Sequence, residues 1–333
     1  MNITVLGSGG WGTALAILLA DNGHKPTLWS PFAEEIAQLT STKENKFLSG
    51  ITLPDTLDYT TDISVVGQAD LVLLVTPSFA LPKTITLAKP FLKSDTPIVI
   101  ATKGIEPESR KTFYELLRKI LGDDAPLAVL SGPSHAEEVA RKIPTACVAA
   151  SNDEALAALV QNVFMSERFR VYTSTDVIGV ELGAALKNVI ALAAGISDGL
   201  GFGDNTIAAL ITRGLDEIST LAVALGGKRE TLAGLAGLGD LIVTCTSKHS
   251  RNRRAGVFIG QGLPVDEAMK EVGAVVEGYY AAAVAYELAQ KTGVELPICN
   301  GLYATLYEGK NPREVVWDLM TRSRKSELGE ALY

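Results

Sequence analysis

The sequence predicts an α/β fold in two parts: a doubly wound, mostly parallel sheet over residues 1–175, then an all-helical domain over residues 176–333. Three observations lead there. The first thirty residues run strand, glycine turn, helix, strand. Short apolar strand patterns then alternate with helical ones as far as residue 175. Past residue 176 long alanine- and leucine-rich helical runs take over, and no strand pattern remains.

The opening unit sets the frame. Asn2-Ile3-Thr4-Val5-Leu6 is β-branched and apolar, as a buried strand requires. Gly7-Ser8-Gly9-Gly10-Trp11-Gly12 follows, then a helical run at 13–20 that stops near Gly23, and a second strand at 25–30. This is the order of a dinucleotide-binding βαβ unit. Gly7 allows the tight turn, Gly9 lets backbone approach a pyrophosphate, and Gly12 lets helix and strand pack closely. Amides at the helix N-terminus then face the phosphates. One part is absent. The acid that holds an adenosine ribose belongs at the end of the second strand, where Ser30-Pro31 stand instead, and Glu34-Glu35 come late, in the next helix. No arginine stands there for a 2′-phosphate, so the choice between NAD and NADP stays open.

The remaining elements follow in order. Residues 33–39 are helical, and 50–54 form a loop with an edge strand. A short helix at 62–68 precedes a buried strand at 69–75. A helix at 79–91 accommodates Pro82 in its first turn, and a strand follows at 96–101. Residues 109–121 form an amphipathic helix, 127–130 a strand and 136–140 a helix. A strand at 145–150, a helix at 153–164 and a last strand at 169–172 complete the sheet. Thr76-Pro77-Ser78, Lys103-Gly104 and Ser131-Gly132-Pro133-Ser134 all fall at strand carboxyl ends, so they line one crevice. In the second half, helices are expected at 180–200, 206–225, 276–291 and 300–307. The glycine-rich stretches 199–203 and 234–239 read as tight turns.

Composition narrows the function. Of 333 residues, 47% are hydrophobic and 20% charged, the balance of a folded soluble chain. A formal charge of −8 disfavours non-specific nucleic-acid binding, yet leaves room for a local basic pocket that takes an anionic substrate. Cys147, Cys245 and Cys299 are far apart, and His24, His135 and His249 are isolated, so neither a disulfide framework nor a metal site is expected. The most apolar run, 180–200, contains Glu181, Lys187 and Asp198, which makes it a poor membrane span. A cytoplasmic protein is expected, with no membrane insertion. The apolar helical domain is compatible with a homodimer.

Several side chains are chemically conspicuous. Lys187 lies in a helix whose nearest positions on the same face are Gly183, Ala184, Ile190 and Ala191. Small neighbours leave room for a bound molecule, and lost hydration lowers an amine's pKa toward neutrality, which suits proton transfer. The other reading is a lysine whose stem runs along the core to a solvated head. Asp198 returns to about the same azimuth as Lys187. Asn188 reaches a cleft wall or is a buried amide satisfied by backbone. Lys103 either points into the crevice or is an ordinary loop lysine. Asp240 and Thr244 share a helix face. Ser250-Arg251-Asn252-Arg253-Arg254, rare in an acidic chain, either holds a phosphate through charge-assisted bonds or forms a solvated helix face. A nucleophile elbow and a Walker pattern are both missing.

Taken in order, these motifs, with Ala101-Thr102-Lys103-Gly104, Lys187-Asn188-Val189-Ile190-Ala191, Ala236-Gly237-Leu238-Gly239-Asp240-Leu241 and Val276-Glu277-Gly278-Tyr279, resemble the bacterial NAD(P)-dependent glycerol-3-phosphate dehydrogenases over nearly the whole chain. The resemblance implies a Rossmann-type domain followed by a 6-phosphogluconate-dehydrogenase-like helical domain. It implies reversible reduction of dihydroxyacetone phosphate, a small three-carbon phosphate, to sn-glycerol 3-phosphate for phospholipid synthesis, with NAD or NADP as cofactor. Lys187 becomes the proton donor and acceptor, with Lys103 and Asp240 beside it. Gly132, Ser134, Asn188, Thr244, Ser250, Arg251 and Asn252 complete the substrate pocket. Cofactor contacts fall on Gly7, Gly9, Gly10, Trp11, Gly12, Pro31, Lys103, Ala136, Arg251, Val275 and Glu277. Pro31 stands where relatives often carry His or Arg, which weakens an inherited NADP preference. Two other readings compete: a β-hydroxyacid or 6-phosphogluconate-type dehydrogenase, and a non-catalytic dinucleotide sensor.

Overall fold

The structure, a computed structural model, describes residues 1–324, 326 and 327; Lys325 and residues 328–333, the end of the expected helical domain, lie outside the described residues. Eight strands form one sheet: β1 (Asn2–Leu6), β2 (Lys25–Trp29), β3 (Asp58–Thr60), β4 (Leu71–Leu74), β5 (Ile98–Ile100), β6 (Leu127–Ser131), β7 (Thr145–Ala150) and β8 (Phe169–Ser174). Their order is β3-β2-β1-β4-β5-β6-β7-β8, and every pairing is parallel except β6 with β7. The strand order reverses between β1 and β4, which pair Leu6 with Leu74. That switch point opens a crevice beyond the strand ends. Helices α1 (Gly10–Asp21), α2 (Ala33–Thr42), α3 (Leu81–Ala88), α4 (Phe113–Leu121), α5 (Ala136–Ala140) and α6 (Glu154–Phe164) accompany the strands. Central strand β4 is buried along its full length, as its uninterrupted Leu-Val-Leu-Leu demands.

Local chemistry moves some expected boundaries. The edge strand expected at 50–54 is absent: Gly50 takes a left-handed φ of 75°, Pro54 lacks a donor, and Thr52 makes only one isolated bridge, to Glu44. The edge strand is β3 instead, a three-residue polar segment paired with β2. The helix expected from residue 109 begins at Phe113, because Arg110 is left-handed (φ 59°) and Thr112 forms a capping box with Glu115. The helix expected at 79–91 is shortened to α3 with a 3₁₀ turn at each end.

Among the described residues the second half holds helices and no strand: α7 (Val177–Gly199), α8 (Asp204–Ala224), α9 (Arg229–Leu232), α10 (Asp240–Thr246), α11 (Arg251–Gly260), α12 (Val265–Val272), α13 (Glu277–Thr292), α14 (Pro297–Tyr307) and α15 (Pro312–Met320). The stretch 234–239, expected as a tight turn, holds one π-helical turn, Leu235–Gly239, directly ahead of α10. α7 is long and apolar enough to cross a membrane, yet 89% of its most apolar window is buried inside the protein. It is the central post of this half. The Asp176 carboxylate caps its start by accepting from the Gly179 amide. Its Glu181 carboxylate accepts from the Tyr114 amide of α4 at 3.1 and 3.2 Å, which fastens α7 to the sheet layer. Burial lifts that carboxyl to about 8.

α7 and α11 touch backbone to backbone. A Cβ at Gly195 would stand 2.0 Å from the Arg253 carbonyl oxygen, and one at Gly256 would stand 2.1 Å from that of Leu192. Neither atom belongs to a flexible side chain, so an added methyl must push the helices apart. Gly195→Ala is expected to cost at least about 2 kcal/mol of stability. A denaturant midpoint equal to that of the wild type would contradict this close packing.

Candidate active site

The crevice is lined from both halves. Gly7 ends β1 with φ 127°, and a Cβ there would meet the Val75 carbonyl oxygen at 2.7 Å. A Cβ at Gly12 would stand 2.0 Å from the Gly7 carbonyl oxygen, so only glycine lets α1 start this close to β1. Gly9 has open space around it. The first turn of α1 has no side-chain cap, which leaves its amides and the positive end of the helix for a ligand's phosphates. Gly10 lies against Phe47 and Ala136, and the Trp11 indole donates to the Ala101 carbonyl at 3.2 Å. These residues fit a dinucleotide pyrophosphate: a bare-backbone floor, unspent donors and a favourable dipole.

Lys103, just past β5, reaches across to the helical half. Its ammonium donates to the Gly132 carbonyl at 2.9 Å, the Ser134 hydroxyl at 3.2 Å and Asp240 Oδ2 at 2.9 Å. Lys187, on α7, donates to Asp240 Oδ1 at 2.5 Å and to the Thr244 hydroxyl at 2.8 Å. One carboxylate at the start of α10 thus bridges two ammonium groups. Asp240 is 1% exposed and Lys187 5% exposed, while Lys103 is part-buried, so one carboxylate faces two amines largely out of water. Burial, and then the Lys103 charge, bring the Lys187 ammonium down to about 8, while Asp240 pulls the other way. Burial alone would raise the Asp240 carboxyl, but the two ammonium groups hold it below its usual range.

The neighbouring predicted residues divide by what they touch. The Asn252 amide donates to Asn188 Oδ1 at 2.8 Å, and Asn252 Oδ1 accepts from the Gly278 amide at 2.8 Å. These two side chains tie α7, α11 and α13 together at the level of Lys187. Ser250 caps α11, its hydroxyl accepting from the Arg253 amide. Arg251 stands exposed in the first turn of that helix. Asp198 does not join Lys187: its carboxylate pairs with Arg253 at 2.6 Å. Glu277, at the start of α13, accepts from the Ser78 hydroxyl at 2.6 Å and so links the two halves. Burial raises its carboxyl above the usual range, against the pull of Ser78 and Arg251. Val275 lines a cavity of about 360 Å³ with Met269, Lys270, Tyr279 and Tyr280. Pro31 is exposed at the end of β2.

Phe47, Ser78's bond to Glu277 and a histidine pair are additions to the sequence reading. The rings of His135 and His249 lie 5.9 Å apart, although each looks isolated in sequence. Burial, then the Lys187 charge, lowers the His135 imidazole. The available signal was adjacency, since each histidine flanks a site serine. Among the described residues no group of three or more His, Cys, Asp and Glu could hold a metal ion.

Comparison with known proteins places the chain in a family. Residues 2–157 match the family model for the N-terminus of NAD-dependent glycerol-3-phosphate dehydrogenase, and residues 176–317 match that for its C-terminus. A glycerol-3-phosphate dehydrogenase [NAD(P)+] of Fusobacterium nucleatum is 51% identical over 331 residues, covering 98% of this chain and 99% of the relative. One from a Thermoanaerobacter species is 50% identical, with 98% and 99% covered. The crystal structure of glycerol-3-phosphate dehydrogenase from Coxiella burnetii superposes with a TM-score of 0.93 at 41% identity, covering 96% of this chain and 99% of that one. The chain belongs to the NAD-dependent glycerol-3-phosphate dehydrogenase family.

Proposed function

We propose that this chain reduces dihydroxyacetone phosphate reversibly to sn-glycerol 3-phosphate, the precursor of glycerophospholipids, in the cytoplasm. Residues 1–175 serve as the dinucleotide-binding half, and residues 176–333 bring the proton donor and the phosphate end of the pocket. The single observation that carries the reading is the pair of ammonium groups, one from each half, sharing Asp240. When bound, NADH or NADPH supplies the hydride.

As the substrate carbonyl is reduced, negative charge grows on its oxygen. Lys187 donates the proton that neutralises this oxygen and, in the reverse direction, takes it back. Lys103 supplies a second fixed positive charge, preorganised by Gly132, Ser134 and Asp240. Asp240 keeps Lys187 from losing its proton too early, and Thr244 fixes the direction of the amine. At the far end, Arg251 and the N-terminus of α11 hold the phosphate, and this remote binding aligns the carbonyl.

Dihydroxyacetone-phosphate-dependent oxidation of NADH and NADPH, run beside unphosphorylated dihydroxyacetone, tests this. The phosphate ester should be strongly preferred; the absence of any phosphate-dependent oxidation would overturn the assignment. Arg251→Ala should raise KM for the phosphate ester about 10- to 100-fold, the size of a lost charge-assisted bond. An unchanged KM would put the phosphate elsewhere.

A further inference from the structure

The end of β2 lacks the acid that usually meets an adenosine ribose, but the fold returns one to that place. Glu35 lies in the first turn of α2. Its Oε2 accepts from the Ser30 hydroxyl, at the end of β2, at 2.6 Å and also from the Ser8 hydroxyl inside the glycine turn. Both serines are buried, at 1% and 4% exposure, so their hydroxyls are fixed points rather than surface rotors. Glu35 itself is half-buried. Its other carboxylate oxygen, Oε1, has no hydrogen-bond partner among the described residues, and no lysine or arginine there pairs with Glu35. The result is a positioned acceptor with one oxygen to spare, spanning the gap between the glycine turn and β2.

We propose that Glu35 is the residue that sets dinucleotide specificity, accepting a hydrogen bond from the 2′-hydroxyl of the adenosine ribose and excluding a 2′-phosphate. The inference rests on the family's dinucleotide lying along the glycine turn. In a βαβ nucleotide unit the second strand delivers the ribose-binding acid directly. Here Ser30 occupies that position, and it holds a carboxylate supplied from the following helix. A ribose hydroxyl meets an acceptor there. A 2′-phosphate brings up to two negative charges toward a carboxylate that, among the described residues, no lysine or arginine pairs with. The chain is therefore an NADH enzyme, with discrimination against NADPH of about 10- to 100-fold.

The test uses nucleotide fragments that cannot react, so it does not depend on turnover. Titration calorimetry with ADP-ribose and with 2′-phospho-ADP-ribose gives two dissociation constants for the wild type and for Glu35→Gln. Glutamine keeps an oxygen for the Ser8 and Ser30 hydroxyls and removes only the charge. The wild type should bind ADP-ribose at least about tenfold more tightly than its 2′-phosphate, and Glu35→Gln should narrow the ratio to within about threefold, mainly by tighter binding of the phosphorylated fragment. Equal wild-type affinities, or an unaltered ratio in a folded Glu35→Gln, would overturn the role of Glu35 while leaving the nucleotide site standing. A folded wild type that binds neither fragment would overturn the nucleotide site itself.

Discussion

Lys187→Ala is expected to lower kcat in both directions by about 10²- to 10⁴-fold, the range for loss of a positioned proton donor. The affinity for dinucleotide should change little, because Lys187 lies on α7 and the glycine turn lies on the other half of the crevice. Lys187→Arg should be nearly as inactive, since a guanidinium holds its charge but does not release its proton near neutral pH. The wild-type pH profile carries the same assignment. Lys187 is protonated below about 8 and neutral above it. Reduction needs the ammonium as donor, so its rate should fall as pH rises through about 8. Oxidation needs the free amine and should rise over the same interval. Near-normal turnover in Lys187→Ala, or profiles flat across that interval, would remove Lys187 from the proton path.

Asp240→Asn should have the second-largest effect. It retains the shape of the side chain but leaves two ammonium groups, at present 2.5 and 2.9 Å from separate carboxylate oxygens, without the charge that holds them together. Breaking a buried pair in this way costs about 3–5 kcal/mol. Lys187 would lose its proton more readily, so the fall of the reduction rate should move to lower pH and kcat at neutral pH should drop. A scaffold residue alone would lower stability without moving the profile. A profile identical to that of the wild type would therefore assign Asp240 to the scaffold.

Much of this was legible because the signals are local. The strand, glycine turn and first helix lie within thirty residues, and each has a pattern of its own. Lys187 stood out as a lone charge among Gly183, Ala184, Ile190 and Ala191, and Asp240 and Thr244 announced a shared face by their spacing. The features not legible depend on folding at a distance or on weak patterns. β3 is three polar residues on a sheet edge, where no apolar alternation is required. The Thr-Ala-Cys-Val-Ala-Ala run of β7 suits either pairing direction, so its antiparallel join to β6 left no mark. Helical azimuth placed Asp198 near Lys187, but Arg253 on a neighbouring helix captures it. The carboxylate of Glu35 reaches Ser8 only because β2 and α2 turn back over the glycine loop.

The glycine contact between α7 and α11 has one more consequence. Lys187 and Arg251 ride on two rods that meet without side chains as spacers, and the Asn188–Asn252 bond pins their rotation. The separation of the two helix positions that carry these side chains is therefore built into the main chain as a fixed gauge rather than an adjustable clamp. A homologous keto-phosphate with one extra carbon would keep its phosphate seated but carry its carbonyl past the amine. Such a molecule should act as an inhibitor of this enzyme, not as a slow substrate.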